Sequence, residues 1–280
     1  MTQVAPDRAK ALAEAIGSGR PLVMGILNVT PDSFSDGGLH RDPMDAVARA
    51  RVMVAEGGAI VDVGGESTRP GHEPVSEAEE RARVLPVLEQ LAGAGWASID
   101  TTKAAVARAA LDRGAVMVND QWGFQGDPAM AEIVAEAGAF AVLMHNRRAV
   151  DAALPIADEL LRFFEASLAI AARAGVAPER LVLDPGIGFG KSGDQQLDAL
   201  RALPRLRSAF GLPILVGVSR KSVLGHITGA AVGDRLPETL AANLFALVQG
   251  AQLFRVHDVA AHVAAFKVTA ALASRDLGSA

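Results

Sequence analysis

The sequence predicts an α/β fold, a (β/α)8 TIM barrel with an extra N-terminal helix, from three observations. Short apolar segments alternate with longer amphipathic segments, which is typical of parallel strands joined by crossover helices. Eight such units can be counted, and 280 residues with 50% hydrophobic content suit the roughly 250 residues of one barrel. Polar residues stand at the C-terminal end of every apolar segment, where this fold carries its functional groups.

The strand candidates are short and mostly aliphatic, as expected for strands that are buried on both faces. They are residues 22–27, 59–63, 96–99, 116–118, 140–144, 181–183, 214–218 and 253–256. The helical candidates between and after them are residues 44–56, 76–91, 103–113, 128–137, 160–173, 237–249 and 259–272. Residues 1–19 predict the additional helix before the barrel, and the whole chain, 1–280, is predicted to be one domain with its barrel at about 22–272.

Several helices have recognisable ends. Ser76 precedes Glu79 by three residues, the spacing of a capping box. A glycine lies just past five of the helical segments, where a left-handed backbone ends a helix: Gly57, Gly114, Gly138, Gly175 and Gly250. These signals place the helix boundaries independently of hydrophobic periodicity.

Composition excludes several classes of protein. The formal net charge is −5 and the longest basic cluster is Arg147–Arg148, so the chain offers no basic face for nucleic acid. It contains no cysteine, which excludes disulfides, thiolate metal sites and a cysteine nucleophile. The first 20 residues mix charges and lack a secretion signal, and no later stretch of about 18 residues is uncharged and apolar. We therefore expect a cytoplasmic protein.

The residues at the strand ends are the main functional signal. In a barrel the C-terminal ends of all strands meet at one mouth, so we expect these side chains to converge there. They are Asn28, Glu66, Asp100, Asn119 with Asp120, His145, Asp184, Arg220 with Lys221, and Arg255 with His257. Arg255 and His257 are two residues apart, so an extended backbone directs both to one face, which suits an anion.

Three of these residues also have a purely structural explanation. Asp100 could cap the helix that begins near Lys103, because aspartate is a good N-cap residue. Asp184 precedes Pro185 and Gly186 and therefore also fits a turn. His145 could be a core histidine. The residues alone leave these alternatives open.

Two glycine motifs and one lysine suggest other chemistries. Gly188, Gly190 and Gly193 match a dinucleotide-binding pattern, but the next strand ends in Ser219 instead of the acid that holds a ribose. The segment 186–192 resembles a phosphate-binding loop but has Pro185 where the first glycine belongs. A lysine such as Lys221 can form a Schiff base if its pKa is depressed, and it can equally serve as a donor and positive charge.

Eight ordered motifs carry a resemblance to a known family. They are MGILNVTPDSFSDGG (24–38), VDVGGESTRPG (61–71), SIDTTK (98–103), VND (118–120), LMHNR (143–147), DPGIGFGK (184–191), GVSRKS (217–222) and RVHDV (255–259). Over about residues 22–272 the chain resembles the dihydropteroate synthases, which are pterin-binding enzymes. The resemblance implies condensation of 7,8-dihydropterin-6-ylmethyl diphosphate with 4-aminobenzoate in folate biosynthesis, assisted by Mg2+ and proceeding by departure of pyrophosphate before attack of the amine.

The resemblance also implies roles for individual residues. The pterin-binding residues would be Asp100, Asn119, Met144, Asp184, Phe189, Gly217 and Lys221. The diphosphate would be bound by Arg69, Arg255, His257 and Asn28, the last also a ligand of Mg2+. The 4-aminobenzoate would be surrounded by Phe34, Thr68, Pro70 and Ser222. Asp36 would stabilise the cation, and Asp36, Lys221 and Asp100 are the predicted catalytic residues. The resemblance further implies a sulfonamide target and a homodimer formed through the last helices.

Two residues depart from the family pattern. Gln121 stands where the family usually has a small branched apolar residue, and it could narrow the pterin pocket or turn outward. Gln196 stands where many members have asparagine. Two related functions also remain open at this stage, a pterin-dependent methyltransferase domain and a noncatalytic pterin-binding paralogue; the SFSDGG and ESTRPG loops and the retained charged residues argue against them.

Overall fold

The computed structural model describes residues 2–30, 43–67, 74–91, 93 and 95–273. Within them, eight parallel strands lie in a single sheet with the order β6-β5-β4-β3-β2-β1-β8-β7. A bridge between Leu183 and Ile214 joins the two outer strands of that order and closes the sheet into a barrel. The strands are β1 (Leu22–Asn28), β2 (Ile60–Gly64), β3 (Trp96–Asp100), β4 (Met117–Asp120), β5 (Phe140–Met144), β6 (Leu181–Asp184), β7 (Leu215–Val216) and β8 (Leu253–Val256).

Helices alternate with these strands, so the predicted TIM-barrel fold is confirmed. The helices are α1 (Pro6–Gly17), α2 (Pro43–Ala55), α3 (Glu77–Leu91), α4 (Ala104–Asp112), α5 (Met130–Ala137), α6 (Ile156–Ala174), α7 (Gly193–Arg201), α8 (Leu203–Phe210), α9 (Ser222–Thr228), α10 (Leu236–Val248) and α11 (Val259–Ala273). Two short 3-10 turns lie at Pro178–Arg180 and Val232–Asp234. The extent of the domain over the whole chain stays a prediction, since the described residues stop at Ala273.

The N-terminal helix closes one end of the barrel. Ala9, Leu12 and Ile16 of α1 are buried in a cluster with barrel residues such as Met24 and Phe140. A larger core lies between the strands and the surrounding helices. Because α1 fills the N-terminal end of the strands, the C-terminal end is the mouth left for a ligand, as the fold usually has it.

The predicted helix ends are largely confirmed. The five glycines that follow helical segments all have positive φ, and the Ser76 hydroxyl accepts a hydrogen bond of 3.2 Å from the Glu79 amide. The Glu79 carboxylate instead pairs with Arg83. A complete capping box occurs at the start of α7, where Ser192 and Gln195 bond reciprocally. The sequence pattern around Ser192 had indicated only a segment that resembles a phosphate-binding loop.

The seventh strand is shorter than predicted. Residues 214–218 were expected to be extended, but β7 contains only Leu215–Val216, with Ile214 forming the bridge to β6. The Val218 carbonyl accepts a hydrogen bond from the Lys221 amide, 3.1 Å, so the backbone turns after Gly217 instead of continuing the sheet. This turn brings Lys221 to the mouth of the barrel.

Candidate active site

An ion-pair network spans the mouth of the barrel. The Arg255 guanidinium, from β8, donates through Nε to Asp62 Oδ2 and through Nη2 to Asp100 Oδ2, each at 2.6 Å. Asp62 lies in β2 and is fully buried, and Asp100 ends β3. Buried carboxylates require such partners, because desolvation of an unpaired charge is costly. Arg255 therefore connects three strands of the sheet.

Two carboxamides extend this network to β4. Asn119 Nδ2 donates to Asp62 Oδ2 at 3.0 Å, and Gln121 Nε2 donates to Asp100 Oδ1 at 2.8 Å. Asn119 and Gln121 are both buried. The Gln121 side chain therefore points into the mouth of the barrel and not outward. Both oxygens of Asp100 are consequently hydrogen bonded.

Asp184 is held at the end of β6 by its own turn. Its Oδ1 accepts a hydrogen bond of 2.8 Å from the Gly186 amide. Its Oδ2 lies 3.9 Å from the position that a Cβ on Gly217 would occupy, and the Arg255 Cβ lies 3.8 Å from the same position. The turn interpretation is therefore right, and it also directs the carboxylate towards the network beside Gly217.

Lys221 lies close enough to Asp184 for the two charges to interact. Its ammonium group donates to the Ile187 carbonyl and lies 4.7 Å from the centre of the Phe189 ring. Its Cδ would be 3.3 Å from a Cβ on Gly188, so the absence of a side chain at that residue leaves room for it. The site thus combines carboxylate acceptors with amide and ammonium donors and one aromatic face.

Burial and neighbouring charges shift the pKa values of these groups. Burial raises the pKa of Asp100 to about 6; Arg255 and the Gln121 hydrogen bond oppose this effect, whereas Asp62 and Glu80 add to it. Burial also raises the pKa of Asp184, against the effect of Lys221. Burial lowers the pKa of Lys221 to about 8, with Asp184 opposing and Arg255 reinforcing the change. Such perturbed groups in one place are typical of a functional site.

The pKa of Arg255 is raised, although burial alone would lower it. Burial acts against its charge, but Asp62 and Asp100 together raise the pKa of the guanidinium above its usual value. Its two ion pairs use one N–H of Nε and one of Nη2, so within the described part of the chain these pairs leave three of its five N–H groups for a ligand. Arg255 can therefore stabilise the carboxylates and bind an anion at the same time.

Two residues predicted to bind the diphosphate are near this network. Asn28 ends β1, and its Oδ1 lies 3.6 Å from the position of a Cβ on Gly64, with Asp100 Oδ2 3.7 Å from the same position. His257 follows β8, and its Nδ1 is 2.9 Å from the Ser219 hydroxyl. Because Gly64 has no side chain, a space remains between the Asn28 amide oxygen and the Asp100 carboxylate. Asn28 and Asp100 therefore border the same space.

Other predicted ligand-contacting residues are distributed around the mouth. Met144 ends β5 and is 4% exposed, Phe189 is half-buried, Gly217 is buried, and Ser222 is exposed at the start of α9. The remaining predicted residues lie outside the described part of the chain: Phe34, Asp36, Thr68, Arg69 and Pro70. Their predicted roles are thus untested by the geometry.

The capping alternative for Asp100 is wrong. The first turn of α4 has no side-chain cap from its N-cap residue, Lys103, and the Ala104 amide donates to Asp127 Oδ2 at 2.9 Å. Asp127 lies in the turn after β4, so it takes the role at the helix end that sequence reasoning considered for Asp100. Because Asp127 accepts the hydrogen bond from the first amide of α4, Asp100 is not needed as a helix cap, and its carboxylate points into the barrel.

The glycine-rich loop after β6 is held by Lys191. The buried Lys191 ammonium contacts His145 Nδ1 at 2.7 Å and donates to the carbonyls of Gly186 at 2.8 Å and Phe189 at 3.1 Å. Burial lowers the pKa of Lys191 to about 7 and that of His145 to about 3, so His145 is neutral. Lys191 is therefore occupied by the protein itself, in contrast to the lysine of a phosphate-binding loop.

Sequence and structure comparisons place the chain in a known family. Residues 24–257 match the family model described as pterin binding enzyme. The dihydropteroate synthase of Mycobacterium leprae is 49% identical over 264 residues, covering 89% of this chain and 92% of that protein. The chain belongs to the pterin-binding enzyme family, among the dihydropteroate synthases. The family resemblance found in the motifs is confirmed.

Solved structures of this family superimpose closely on the barrel. A Xanthomonas albilineans dihydropteroate synthase with 4-aminobenzoic acid matches with a TM-score of 0.88 and 43% identity, covering 92% of this chain and 94% of that one. The same enzyme in complex with 7,8-dihydropteroate matches with a TM-score of 0.84 and 41% identity, covering 92% and 95%. At 41% and 43% identity these proteins are similar to the chain in sequence as well as in fold.

Some residues of this pterin-binding enzyme were missed by sequence reasoning. Asp62 is the principal one, although a charged residue inside the apolar segment IVDVG indicated that a partner had to exist.

A second ion cluster joins Lys103 to Glu66 at 2.6 Å and to the buried Glu80 at 2.5 Å. Glu66 also accepts a hydrogen bond from the Val75 amide at 3.1 Å. The cluster therefore links Glu66, which follows β2, to Glu80 in α3 and to Lys103, which precedes α4.

A separate groove lies at the opposite end of the barrel. It has a volume of about 390 Å³ and is bordered by the N-terminal segment and α4, including Arg8 and Arg113. These cations are engaged by the protein, Arg8 with the Gly95 carbonyl at 2.6 Å and Arg113 with Glu89. None of the strand-end residues borders this groove, so the mouth of the barrel is the better candidate.

Proposed function

We propose that the chain condenses 7,8-dihydropterin-6-ylmethyl diphosphate with 4-aminobenzoate to form 7,8-dihydropteroate and pyrophosphate. The observation that carries the proposal is the convergence of Asp100, Asn119, Asp184 and Lys221 around Arg255. A pterin has adjacent donors and acceptors on its pyrimidine edge, which carboxylate and carboxamide groups can recognise together. The relative that was solved with 7,8-dihydropteroate supports the same product.

The pterin would lie flat within the mouth. Asp184 and Asn119 would bind the pyrimidine part, Asp100 the other ring, and Lys221 the O4 and N5 side. Met144, Phe189 and Gly217 would form apolar walls, and the missing side chain at Gly217 leaves room beside Asp184. A site built from buried polar partners discriminates strongly against a ligand that leaves them unpaired.

The substitution would proceed by dissociation. The bond between the methylene carbon and the diphosphate oxygen breaks, and its electron pair leaves with the diphosphate. The amine of 4-aminobenzoate then forms the new carbon–nitrogen bond and releases one proton to solvent. Electrostatic stabilisation of the separating charges is the contribution expected from the protein, because no protein nucleophile is required.

The diphosphate would be bound by the cationic and amide groups of the mouth. Arg255 has three N–H groups that its ion pairs with described residues do not use, and a guanidinium fits phosphate oxygens well. Asn28 and His257 would add contacts, together with Arg69. Asp36 would stabilise the cationic methylene, and Phe34, Thr68, Pro70 and Ser222 would surround 4-aminobenzoate. These roles rest on the family resemblance.

We also propose Mg2+ as the metal ion. Mg2+ prefers oxygen ligands, keeps several waters and is commonly shared between few protein groups and substrate phosphates. Asn28 Oδ1, directed at the open space beside Gly64, suits this pattern as a single protein ligand. When bound, the ion would neutralise charge on the diphosphate. Among the described residues, no group of three or more His, Asp or Glu forms a metal cluster, which such shared ligation does not need.

A direct assay tests the proposed reaction. The purified protein is supplied with the dihydropterin diphosphate and labelled 4-aminobenzoate, with and without Mg2+, and dihydropteroate and pyrophosphate are measured. We expect both products in equal amounts, and Asp184→Ala should abolish them while the protein remains folded. Absence of pyrophosphate release with both substrates and Mg2+ present would contradict the proposal and favour a noncatalytic pterin-binding protein.

A homodimer through α10 and α11 is a further proposal. Apolar side chains are exposed on these helices, including Phe245 at 43%, Val248 at 77%, Val268 at 60% and Leu272 at 79%. An apolar surface of this kind is typical of a protein interface. Sedimentation analysis should find a dimer that Val248→Glu dissociates, whereas Val150→Glu, at an exposed valine before α6, should not. A wild-type monomer at micromolar concentration would refute it.

The location in the cell stays a prediction. Among the described residues, no helix is both long and apolar enough to cross a membrane. A cytoplasmic location, as expected from the composition, can be tested by fractionation of the cells that produce the protein.

A further inference from the structure

We propose that Gln121 is a positioning residue, which fixes the orientation of the Asp100 carboxylate so that it can bind the pterin. This inference rests on the proposed function and adds a residue that the family pattern does not assign. It starts from one contact, the 2.8 Å hydrogen bond from Gln121 Nε2 to Asp100 Oδ1.

The contact completes a ring of five side chains. Gln121 and Asn119 stand two residues apart on one backbone segment, and each donates to a different carboxylate, Asp100 and Asp62 respectively. Arg255 bridges these carboxylates. The ring therefore leaves β4, passes through β2, β8 and β3, and returns to the same segment. Displacement of Gln121 opens the ring at Asp100.

Asp100 depends on Gln121 for one of its oxygens. Its Oδ2 is bound by Arg255, and among the described residues Gln121 is the donor to Oδ1. A carboxylate oxygen offers two lone-pair positions, so each oxygen of Asp100 still has one for a ligand. An apolar side chain at position 121 would leave Oδ1 without this donor in a nearly dehydrated environment, because Asp100 is only 9% exposed. The carboxylate would then be free to rotate towards Arg255.

The charge environment supports the same role. Asp62 and Glu80 act against the charged form of Asp100, and Arg255 and Gln121 act in its favour. Gln121 is the neutral member of this set. It stabilises the carboxylate without adding a positive charge that would compete for the diphosphate.

One variant and a matched control test the inference. Gln121→Met has nearly the same shape and no donor. Gln125→Met is the matched control, because Gln125 lies in the same turn and its Nε2 donates to the Phe163 carbonyl at 3.1 Å and to the Ser167 hydroxyl at 2.9 Å. The control therefore loses hydrogen bonds from the same loop without touching Asp100.

The readouts are the KM for each substrate, kcat, and the Kd of dihydropteroate by titration calorimetry. Gln121→Met should raise the KM for the dihydropterin diphosphate and the Kd of dihydropteroate about tenfold, the usual effect of a hydrogen bond to a charged group. The KM for the aminobenzoate substrate should change less than about twofold. Gln125→Met should bind like the wild type.

The outcomes separate this inference from the proposed reaction. An inactive wild-type protein would refute the reaction, whereas dihydropteroate binding still tests the role of Gln121. Equal binding by Gln121→Met, Gln125→Met and the wild type would overturn the inference. If Gln121→Met does not fold in a circular dichroism measurement, Gln121→Leu is used for the same comparison and judged by the same criteria.

Discussion

Several residues at the barrel mouth stabilise the fold and also place polar groups where the proposed substrates would bind. Arg255 compensates two buried carboxylates and retains donors for an anion. Asp184 binds the Gly186 amide through one oxygen and directs the other into the site. Lys221 contacts a carbonyl and an aromatic ring. Because these groups are already positioned by the protein, a ligand finds them arranged for binding, which is the usual requirement of electrostatic catalysis.

The charge of Lys221 should make the proposed reaction depend on pH. Burial lowers its pKa to about 8, so the charge present below pH 8 is lost above it. Asp184, Arg255 and Asp100 are the charged groups that act on it. We expect kcat/KM for the dihydropterin diphosphate to fall as the pH rises through about 8, and Lys221→Arg to move this decline to higher pH. Initial rates measured across this pH range provide the test.

Unfolding at alkaline pH is an alternative cause of such a decline. The titration of Lys221 itself does not cause such unfolding. Its pKa in the folded protein lies below its ordinary value, so between about pH 8 and 10.5 the unfolded chain binds more protons than the folded one. The contribution of Lys221 to the free energy of unfolding therefore rises in this range. A decline that remains unchanged in Lys221→Arg would count against the assignment.

A second prediction concerns Asp62. It is fully buried and accepts hydrogen bonds from Arg255 and Asn119, so Asp62→Asn removes a charge that Arg255 requires. We expect the free energy of unfolding to fall by about 2–4 kcal/mol, somewhat less than for a fully broken buried pair because Asp100 remains. Urea unfolding measures it. In the control Arg113→Gln, which breaks an exposed pair with Glu89, the loss should stay below about 1 kcal/mol.

At the scale of elements, the loops after the strands are anchored at defined points. The loop after β6 is fixed by Lys191, by the Asp184 side chain and by the close approach of Gly186 to β5. After β7, Arg220 has a left-handed backbone, φ 57°, and its guanidinium pairs with Asp258 at 2.6 and 3.1 Å. A non-glycine residue in this conformation needs support from its surroundings. These anchors set the positions of Phe189 and Lys221.

The prediction at this scale concerns Gly186. Its φ is +65°, and a Cβ there would lie 1.9 Å from the His145 carbonyl oxygen. Gly211 has nearly the same φ, +66°, but no atom of the described residues lies within 4 Å of its Cβ position. Gly211→Ala should therefore cost only the left-handed strain of about 1–2 kcal/mol, and Gly186→Ala at least about 2 kcal/mol more. Thermal unfolding compares them; equal losses would show that the close contact is unimportant.

At the scale of the molecule, the barrel and its active end could be predicted from the sequence because both follow from local patterns. Apolar segments mark the strands, and Asp100, Asn119 and Asp184 follow them directly. The pairing of Asp62 with Arg255 was not predictable in this way, because 193 residues separate them and their contact depends on the order of strands around the barrel. The direction of Gln121 likewise depends on its neighbour strand. Short helices such as α8 lack enough turns for a clear period.

The most direct test of the whole account is a crystal structure of this protein with 7,8-dihydropteroate. We predict that the pterin ring lies inside the C-terminal mouth of the barrel, with hydrogen bonds to Asp184, Asn119 and Asp100 and with Lys221 at the O4 and N5 side. A ligand bound outside this mouth, or bound within it without contacting either carboxylate, would contradict the account.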